Sequence, residues 1–259
     1  MKHRIGFPAA ALFILLAAVQ AMAQTPARKE RVYVRDVAGI WINDAYLKEL
    51  NASRSPHAAA KKAPPVVIAI KREGQRYPIV TTNFDKAILQ VVINLEPADK
   101  PNAYRLILGD EGRPLSSTEV KLLPFEGVKN PQGKFDRLKF SEPRFMKGKA
   151  VDYLPIEGEI SPHINRVVLA GKYLDDKGRI WTFADSGEAI WPDATMNYEI
   201  SLNHPGATCE YFQAEDGKSG EKKHYGFSWK GGKLAVFAAR MQNKQVRCEA
   251  NPLAVLTPQ

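Results

Sequence analysis

The chain has 259 residues, of which 44% are hydrophobic and 25% are charged, a balance that is typical of a globular protein with a substantial apolar core. This composition excludes a chain that is largely disordered. The formal net charge is +9, but the lysines and arginines are scattered and form no basic stripe with interleaved aromatics, so we expect no nucleic-acid partner.

The first 23 residues have the three features of a secretory signal peptide in the order that export requires. Lys2–Arg4 is a short basic start, Ala9–Val19 is apolar, and Ala21–Ala23 has the small-x-small pattern that signal peptidase cleaves. The apolar run is shorter than the roughly 20 residues that span a bilayer, which favours cleavage near Ala23 over a retained anchor. We therefore expect an extracytoplasmic protein, periplasmic or secreted, without a transmembrane segment.

The expected organisation divides the chain into four parts. Residues 1–23 are the signal peptide, 24–35 a basic N-terminal extension, 36–250 a single β-rich domain and 251–259 a C-terminal tail. The length left after cleavage suits one large β domain or two small ones. We expect one, because all-β folds often exceed roughly 200 residues as a single unit.

One region near the N-terminus is predicted to be helical. Asp44 can cap a helix in which Tyr46 and Leu50 fall on one face, and Ser55 can cap a second short helix that ends near Lys61. A strand precedes this helical pair in the sequence, and strands follow it.

Alternating hydrophobicity predicts strands through most of the remaining chain. Leu89, Val91, Ile93 and Leu95 are expected to share one face of a strand. Glycine-containing turns predict three hairpins in the second half: Val167–Leu174 with Arg179–Ala184, Tyr198–Leu202 with Cys209–Gln213, and Tyr225–Trp229 with Leu234–Ala239. The predicted fold class is all-β: an antiparallel β-barrel of about ten strands with a short N-terminal helical pair, with a β-sandwich as the alternative.

The order of strand, helical pair and strands resembles the calycin superfamily, in particular its lipocalin and fatty-acid-binding branches. Those families begin with a Gly-x-Trp strand, which Gly39-Ile40-Trp41 matches here, and the fatty-acid-binding branch has two short helices after that strand. The resemblance implies that Trp41 packs across a closed barrel end and that the helices act as a lid. The Arg-x-Tyr pair that holds a ligand carboxylate in that branch is incomplete, because Cys248 and Glu249 follow Arg247.

The chain contains two cysteines, Cys209 and Cys248. An even number of cysteines in an exported protein favours one disulfide over two free buried thiols. A redox role is not expected, because such roles use closer spacing such as Cys-x-x-Cys.

No residue pattern predicts catalysis, a metal site or a cofactor. The histidines of the mature chain lack ligand spacing, since no two of them fall on one helix face. Glu157 and Glu159 alternate on a predicted strand and could serve as an acid and base pair for glycoside cleavage, but exposed positions on a half-buried strand explain them more simply. Ser228 lacks the strand-to-helix turn of a nucleophile elbow.

Aromatic residues are concentrated on the predicted strands of the second half. If these strands close into a barrel, their side chains could line a ligand cavity, and the candidate ligand-binding residues are Tyr173, Trp181, Phe183, Trp229 and, as a counter-charge, Arg247. Core packing of the aromatics is the structural alternative.

The expected function is therefore non-catalytic binding of an apolar or amphipathic small molecule inside an exported barrel. A second hypothesis is an envelope module that binds a protein partner or has a structural role without a cavity. A third is a carbohydrate-active hydrolase that uses Glu157 and Glu159. The sequence predicts neither the ligand nor the oligomeric state.

Overall fold

The structure is a computed structural model that describes residues 32–62, 66–82, 87–110, 113–114, 125–140, 150–202, 207–243 and 245–259, with the backbone alone for 87–89, 110, 113 and 114. The expected signal peptide and residues 24–31 of the expected extension lie outside these residues. Tyr33–Gln259 form one compact unit. In the described parts of this unit, seventeen strands, all paired antiparallel, and three α-helices confirm the all-β prediction, although there are more strands than the ten or so expected.

The first half of the unit is a nine-stranded antiparallel sheet, here called the N-terminal sheet. Its spatial order is β4-β3-β2-β1-β9-β8-β7-β5-β6, and a further pairing of β4 with β5 joins eight of the strands into a ring. The strands are β1 (Gly39–Asn43), β2 (Val67–Ile70), β3 (Pro78–Thr82), β4 (Ala87–Pro97), β5 (Ala103–Asp110), β6 (Arg113–Pro114), β7 (Phe125–Lys129), β8 (Phe135–Phe140) and β9 (Val151–Ile156).

The second half is a closed antiparallel barrel of eight strands, here called the C-terminal barrel. Each strand pairs with the next along the chain, and the last pairs with the first, which is the order of an up-and-down barrel. Such a barrel is compatible with the calycin-like fold. The strands are β10 (Gly171–Leu174), β11 (Ile180–Phe183), β12 (Glu188–Trp191), β13 (Ala194–Ile200), β14 (Glu210–Asp216), β15 (Lys222–Lys230), β16 (Lys233–Gln242) and β17 (Gln245–Pro258).

Three helices accompany the strands. The helical pair consists of α1 (Asp44–Ser53) and α2 (Pro56–Lys62), which lie between β1 and β2 in sequence as predicted. The third helix, α3 (Ile160–Val168), connects β9 to β10. None of the helices in the described part of the chain is both long enough and apolar enough to cross a membrane.

The apolar core connects the helical pair to the C-terminal barrel. Tyr46 and Leu50 of α1 are fully buried in the same cluster of side chains as Phe212 and Phe227 of the barrel, and Ile164 of α3 belongs to it as well. Burying a side chain of this size stabilises the fold by roughly 1.5–3 kcal/mol relative to exposure. The helical pair, which the resemblance implied to be a lid, therefore shares one core with the C-terminal barrel, and Ile42 and Val67 of the N-terminal sheet belong to it as well.

Two strand predictions differ from the structure in their local geometry. Part of the predicted strand Val167–Leu174 is the end of α3, because Ile160, Ile164 and Val168 recur at helical spacing and bury one face. The predicted alternation in β4 is interrupted by an irregularity in pairing between Val92 and Asn94. As a result Val92 and Leu95 are buried while Ile93 is exposed.

Two further details extend the sequence analysis. The cap of α1 is Asn43 and not Asp44: the Asn43 side-chain oxygen accepts hydrogen bonds from the backbone N–H groups of Ala45 and Tyr46 at 2.9 and 3.2 Å. The last strand runs to Pro258, so the segment expected to be a C-terminal tail is part of the barrel wall. Of the predicted turns, Asp175–Gly178 has the expected glycine in the left-handed region, with φ of 74° at Gly178.

Candidate functional site

A cleft of about 340 Å³ opens where the helical pair meets one end of the C-terminal barrel. The end of α1 forms one wall, and the turn between β15 and β16 forms the other. The cleft contains two cationic side chains and no carboxylate, and its main lining residues are Ser53, Arg54, Trp229, Lys230, Gly231 and Pro258. We call this the Arg54 cleft.

Arg54 owes its position to the way in which α1 ends. It is the residue after the helix, its φ is 51°, and its backbone N–H donates a hydrogen bond to the carbonyl oxygen of Leu50 at 2.7 Å. The left-handed region is unfavourable for a residue with a side chain, and glycine or asparagine is the usual choice there. Strained backbone positions of this kind concentrate at binding and catalytic sites. The arginine at this position therefore marks the end of α1 as a candidate binding site.

The guanidinium of Arg54 lies over the indole ring of Trp229, with its central carbon 4.0 Å from the ring centroid. Trp229 is itself fixed, because its indole N–H donates to the carbonyl oxygen of Val168 at the end of α3, at 2.9 Å. The ring of Tyr173 lies 6.2 Å from Trp229. One tryptophan therefore joins the barrel wall, α3 and the end of α1.

The Arg54 cleft contains two positively charged side chains, Arg54 and Lys230. Among the residues that the structure describes, neither Arg54 nor Lys230 forms an ion pair with a carboxylate. Burial raises the pKa of the Tyr173 hydroxyl, and the charge of Arg54 opposes that rise, so the field of the guanidinium reaches into the barrel end. An arginine that is stacked on an indole and lacks a carboxylate partner can offer its fork of N–H groups to an anion.

A second group of polar side chains lies next to the cleft. The carboxylate of Glu210, at the start of β14, accepts a hydrogen bond from the hydroxyl of Ser55 and one from the backbone N–H of His57 at 3.1 Å. His57 Nδ1 lies 3.2 Å from the other carboxylate oxygen, and both side chains are about 15% exposed. Burial raises the pKa of the neighbouring Tyr46, and the charge of Glu210 raises it further. We call these four residues the Glu210 cluster.

The Glu210 cluster contains a serine, a histidine and a glutamate, and the contacts of Ser55 are those of a helix cap. A serine hydroxyl has one proton, and that of Ser55 is donated to Glu210. Its oxygen also accepts the backbone N–H of Ala58 at 3.1 Å, as a helix cap does. The observed geometry fixes the start of α2 to the barrel.

The predicted ligand-binding aromatics lie in two different settings. Tyr173, Trp181 and Phe183 are buried in the interior of the barrel, where Tyr173 is directly opposite Trp181. The hydroxyl of Tyr173 donates to the carbonyl oxygen of Leu169, and the indole N–H of Trp181 donates to Asp175. Trp229 alone among the predicted aromatics lines the Arg54 cleft.

Aromatic rings fill the part of the barrel interior around Phe183. The centroids of Tyr198 and Phe212 lie 5.5 and 5.9 Å from that of Phe183, in edge-to-face geometry. Such distances are those of rings in contact within a close-packed core. These residues stabilise the barrel by packing against one another.

Arg247 lies apart from the aromatic residues. Its side chain is exposed, whereas that of its chain neighbour Val246 is fully buried, so the two point to opposite faces of β17. Its partner across the strand pair is Arg240. The arginine that accompanies Trp229 is therefore Arg54. No sequence signal identified it, although its place between two serines and two helices marks a tight turn.

The other chemical candidates are readily located. Cys209 and Cys248 form the predicted disulfide, with their Cα atoms 6.2 Å apart. Glu157 and Glu159 are exposed in the segment between β9 and α3. No group of three or more histidine, cysteine, aspartate or glutamate side chains in the described ranges could hold a metal ion.

Comparisons with known proteins give no match. Neither a protein-family model, nor a curated protein, nor a solved structure is similar to this chain.

Proposed function

We propose that the protein is exported and acts as a non-catalytic binding protein for an amphipathic small molecule with an anionic head group, held in the Arg54 cleft. The observation that carries the proposal is the guanidinium of Arg54, stacked on Trp229 without a carboxylate partner in the described structure. The cleft volume of about 340 Å³ falls within the range of small-molecule sites. The disulfide is compatible with an oxidising, extracytoplasmic compartment.

The two parts of such a ligand have separate contacts. An oxyanion such as a carboxylate or a phosphate ester matches the planar fork of Arg54, and Lys230 adds a second positive charge. The apolar part has Trp229 and Pro258 to lie against. Because aromatic rings pack closely around Phe183 in the barrel interior, the proposed ligand site is the cleft at the barrel end.

Calorimetric titration with ligands of equal tail length tests this proposal. Dodecyl phosphate and dodecanoate are expected to bind, whereas dodecyltrimethylammonium, with a cationic head, is not. Arg54→Gln should weaken dodecyl phosphate binding by about tenfold or more, because a charge-assisted contact is lost. The matched control is Arg240→Gln, which removes an exposed arginine that is paired with Glu249 elsewhere on the barrel. Equal binding of the cationic and anionic ligands, or equal affinities of the two variants, would contradict the proposal.

A second candidate function is protein binding through the outside of the barrel. Ile180, Ile190, Leu253 and Val255 are between 42% and 56% exposed. Ile180 and Ile190 lie on the neighbouring strands β11 and β12, and Leu253 and Val255 lie two residues apart on β17. Exposed aliphatic side chains that are grouped in this way are typical of interaction surfaces.

The outer surface can be tested separately from the cleft. The combined change Ile180→Glu and Ile190→Glu should abolish a specific cross-link to an envelope protein in the native host. Lys223→Glu, at an exposed position of β15 on the other side of the barrel ring, changes the net charge by the same amount and should leave the cross-link intact. Retention of the cross-link in the double variant would exclude this surface.

A further inference from the structure

Glu210 contacts the chain immediately after Arg54. Its carboxylate accepts hydrogen bonds from the hydroxyl of Ser55, the residue that follows Arg54, and from the backbone N–H of His57. On the N-terminal side of this turn, the backbone N–H of Arg54 donates a hydrogen bond to the carbonyl oxygen of Leu50. The turn that carries the guanidinium is therefore fixed at both ends, by α1 before it and by a barrel carboxylate after it.

The same carboxylate is close in register to the indole under Arg54. Glu210 pairs with Phe227 across β14 and β15, and Trp229 follows Phe227 by two residues on the same face of β15. Glu210 and Trp229 are thus diagonal neighbours at one end of the barrel. Strand β14 therefore supplies the carboxylate that holds the turn, and the adjacent strand β15 supplies the indole on which Arg54 lies.

We propose that Glu210 is a positioning residue of the Arg54 cleft, which holds the guanidinium over Trp229 before any ligand arrives. This inference rests on the proposed function. An arginine side chain has many rotamers, and fixing it in advance lowers the entropy that binding must otherwise overcome. The carboxylate oxygens of Glu210 are already in contact with Ser55 and His57, and a carboxylate repels an anionic head group. Any effect of Glu210 on ligand affinity therefore acts through Arg54.

The positioning can be measured without a ligand. In protein labelled with 5-fluorotryptophan, the four tryptophans give separate fluorine resonances, and Trp229→Phe assigns the one of interest. Arg54→Gln shows how that resonance shifts when the guanidinium is absent. We expect Glu210→Ala to shift the Trp229 resonance toward the Arg54→Gln position and to weaken dodecyl phosphate binding several-fold. Glu210→Gln keeps an oxygen acceptor for Ser55. It should therefore largely retain both the wild-type position of the Trp229 resonance and the wild-type affinity for dodecyl phosphate.

The matched control is Glu215→Ala on the same strand, whose carboxylate pairs with Lys222 on the surface and should affect neither value. If Glu210→Ala does not fold, Ser55→Ala removes one contact to the carboxylate and should shift the same resonance part of the way. A folded Glu210→Ala protein with an unchanged Trp229 resonance would overturn the inference. If the resonance shifts as expected but the wild-type protein binds no anionic ligand, Glu210 positions Arg54 and the proposed ligand class is wrong.

Discussion

The sulfur of Cys248 occupies the space beside Gly226 that the side chain of any other residue would require. A Cβ atom at position 226 would overlap with Cys248 Sγ and lie 3.5 Å from Cys209 Sγ. The disulfide therefore crosses β15 in contact with its backbone. This strand and the cystine can coexist only because residue 226 has no side chain.

Gly226→Ala is expected to prevent the disulfide or to displace β15. Loss of a native disulfide typically lowers the free energy of unfolding by about 2–5 kcal/mol. The measurement is denaturant unfolding together with thiol titration of the purified variant. The control is the same change in a Cys209→Ala, Cys248→Ala background, where the sulfurs are absent and Gly226→Ala should cost much less. Equal costs in the two backgrounds would contradict the assigned contact.

Asp175 makes the stability of the barrel depend on pH at the acid end. Burial raises the pKa of this carboxyl, but hydrogen bonds from Lys177, Arg179 and Trp181 more than offset that effect and lower the pKa from 3.8 to about 2. A depressed pKa in the folded state stabilises the protein above the unfolded pKa, and this contribution is lost as the pH falls through the folded one. The contribution should therefore be complete above about pH 4 and disappear toward about pH 2.

Asp175→Asn tests this dependence. The variant should have a Tm several degrees lower than the wild type at about pH 7, with a difference that shrinks as the pH approaches about 2. Asp176→Asn, at the exposed neighbouring position of the same turn, is the control. A Tm difference that stays constant across this range would show that the charge of Asp175 is not the cause.

Asn43, and not Asp44, should determine the stability of α1. Asn43→Ala leaves two backbone N–H groups without their acceptor and is expected to cost about 1–2 kcal/mol of unfolding free energy. Asp44→Ala removes only an exposed pair with Lys48 at 2.7 Å and should cost about 0.5 kcal/mol or less. Urea unfolding of both variants gives the comparison, and the reverse order would restore Asp44 as the cap.

Trp229→Phe should lower stability in addition to ligand affinity. The change removes the hydrogen bond to Val168, and the expected cost is about 1–2 kcal/mol. Arg54→Gln keeps that bond and loses only the stacked charge, for which about 1 kcal/mol or less is expected. Denaturant unfolding of both variants separates these contributions. Equal stability of Trp229→Phe and wild type would mean that the bond to α3 contributes nothing.

The sequence predicted the parts of the fold that depend on neighbouring residues. The turn at Asp175–Gly178 follows from a glycine that can adopt positive φ, and the helical pair follows from its caps and apolar spacing. The helix α3 was missed because Ile160, Ile164 and Val168 are β-branched and favour strands when judged by residue type. Their helical spacing, which buries one face in the shared core, decides for the helix.

The candidate site depends on contacts that local patterns do not contain. Trp229 was predicted from the concentration of aromatics, but its partner Arg54 lies in the other half of the chain. Their contact requires α1 to pack against the C-terminal barrel, with which it shares an apolar core. Spacing and composition give no information about such a long-range arrangement. Arg247 was predicted in its place because it lies on the last strand, where the fatty-acid-binding branch has its Arg-x-Tyr pair.

The barrel's first and last strands are neighbours, since Leu174 of β10 pairs with Thr257 of β17. The two ends of the barrel sequence therefore meet in space, and a short linker could join them without disturbing any strand. New termini could then be opened in the turn at Gly231–Gly232, beside the Arg54 cleft. The native barrel would then depend on the closed ring of strand pairs and not on which strand begins or ends the barrel sequence.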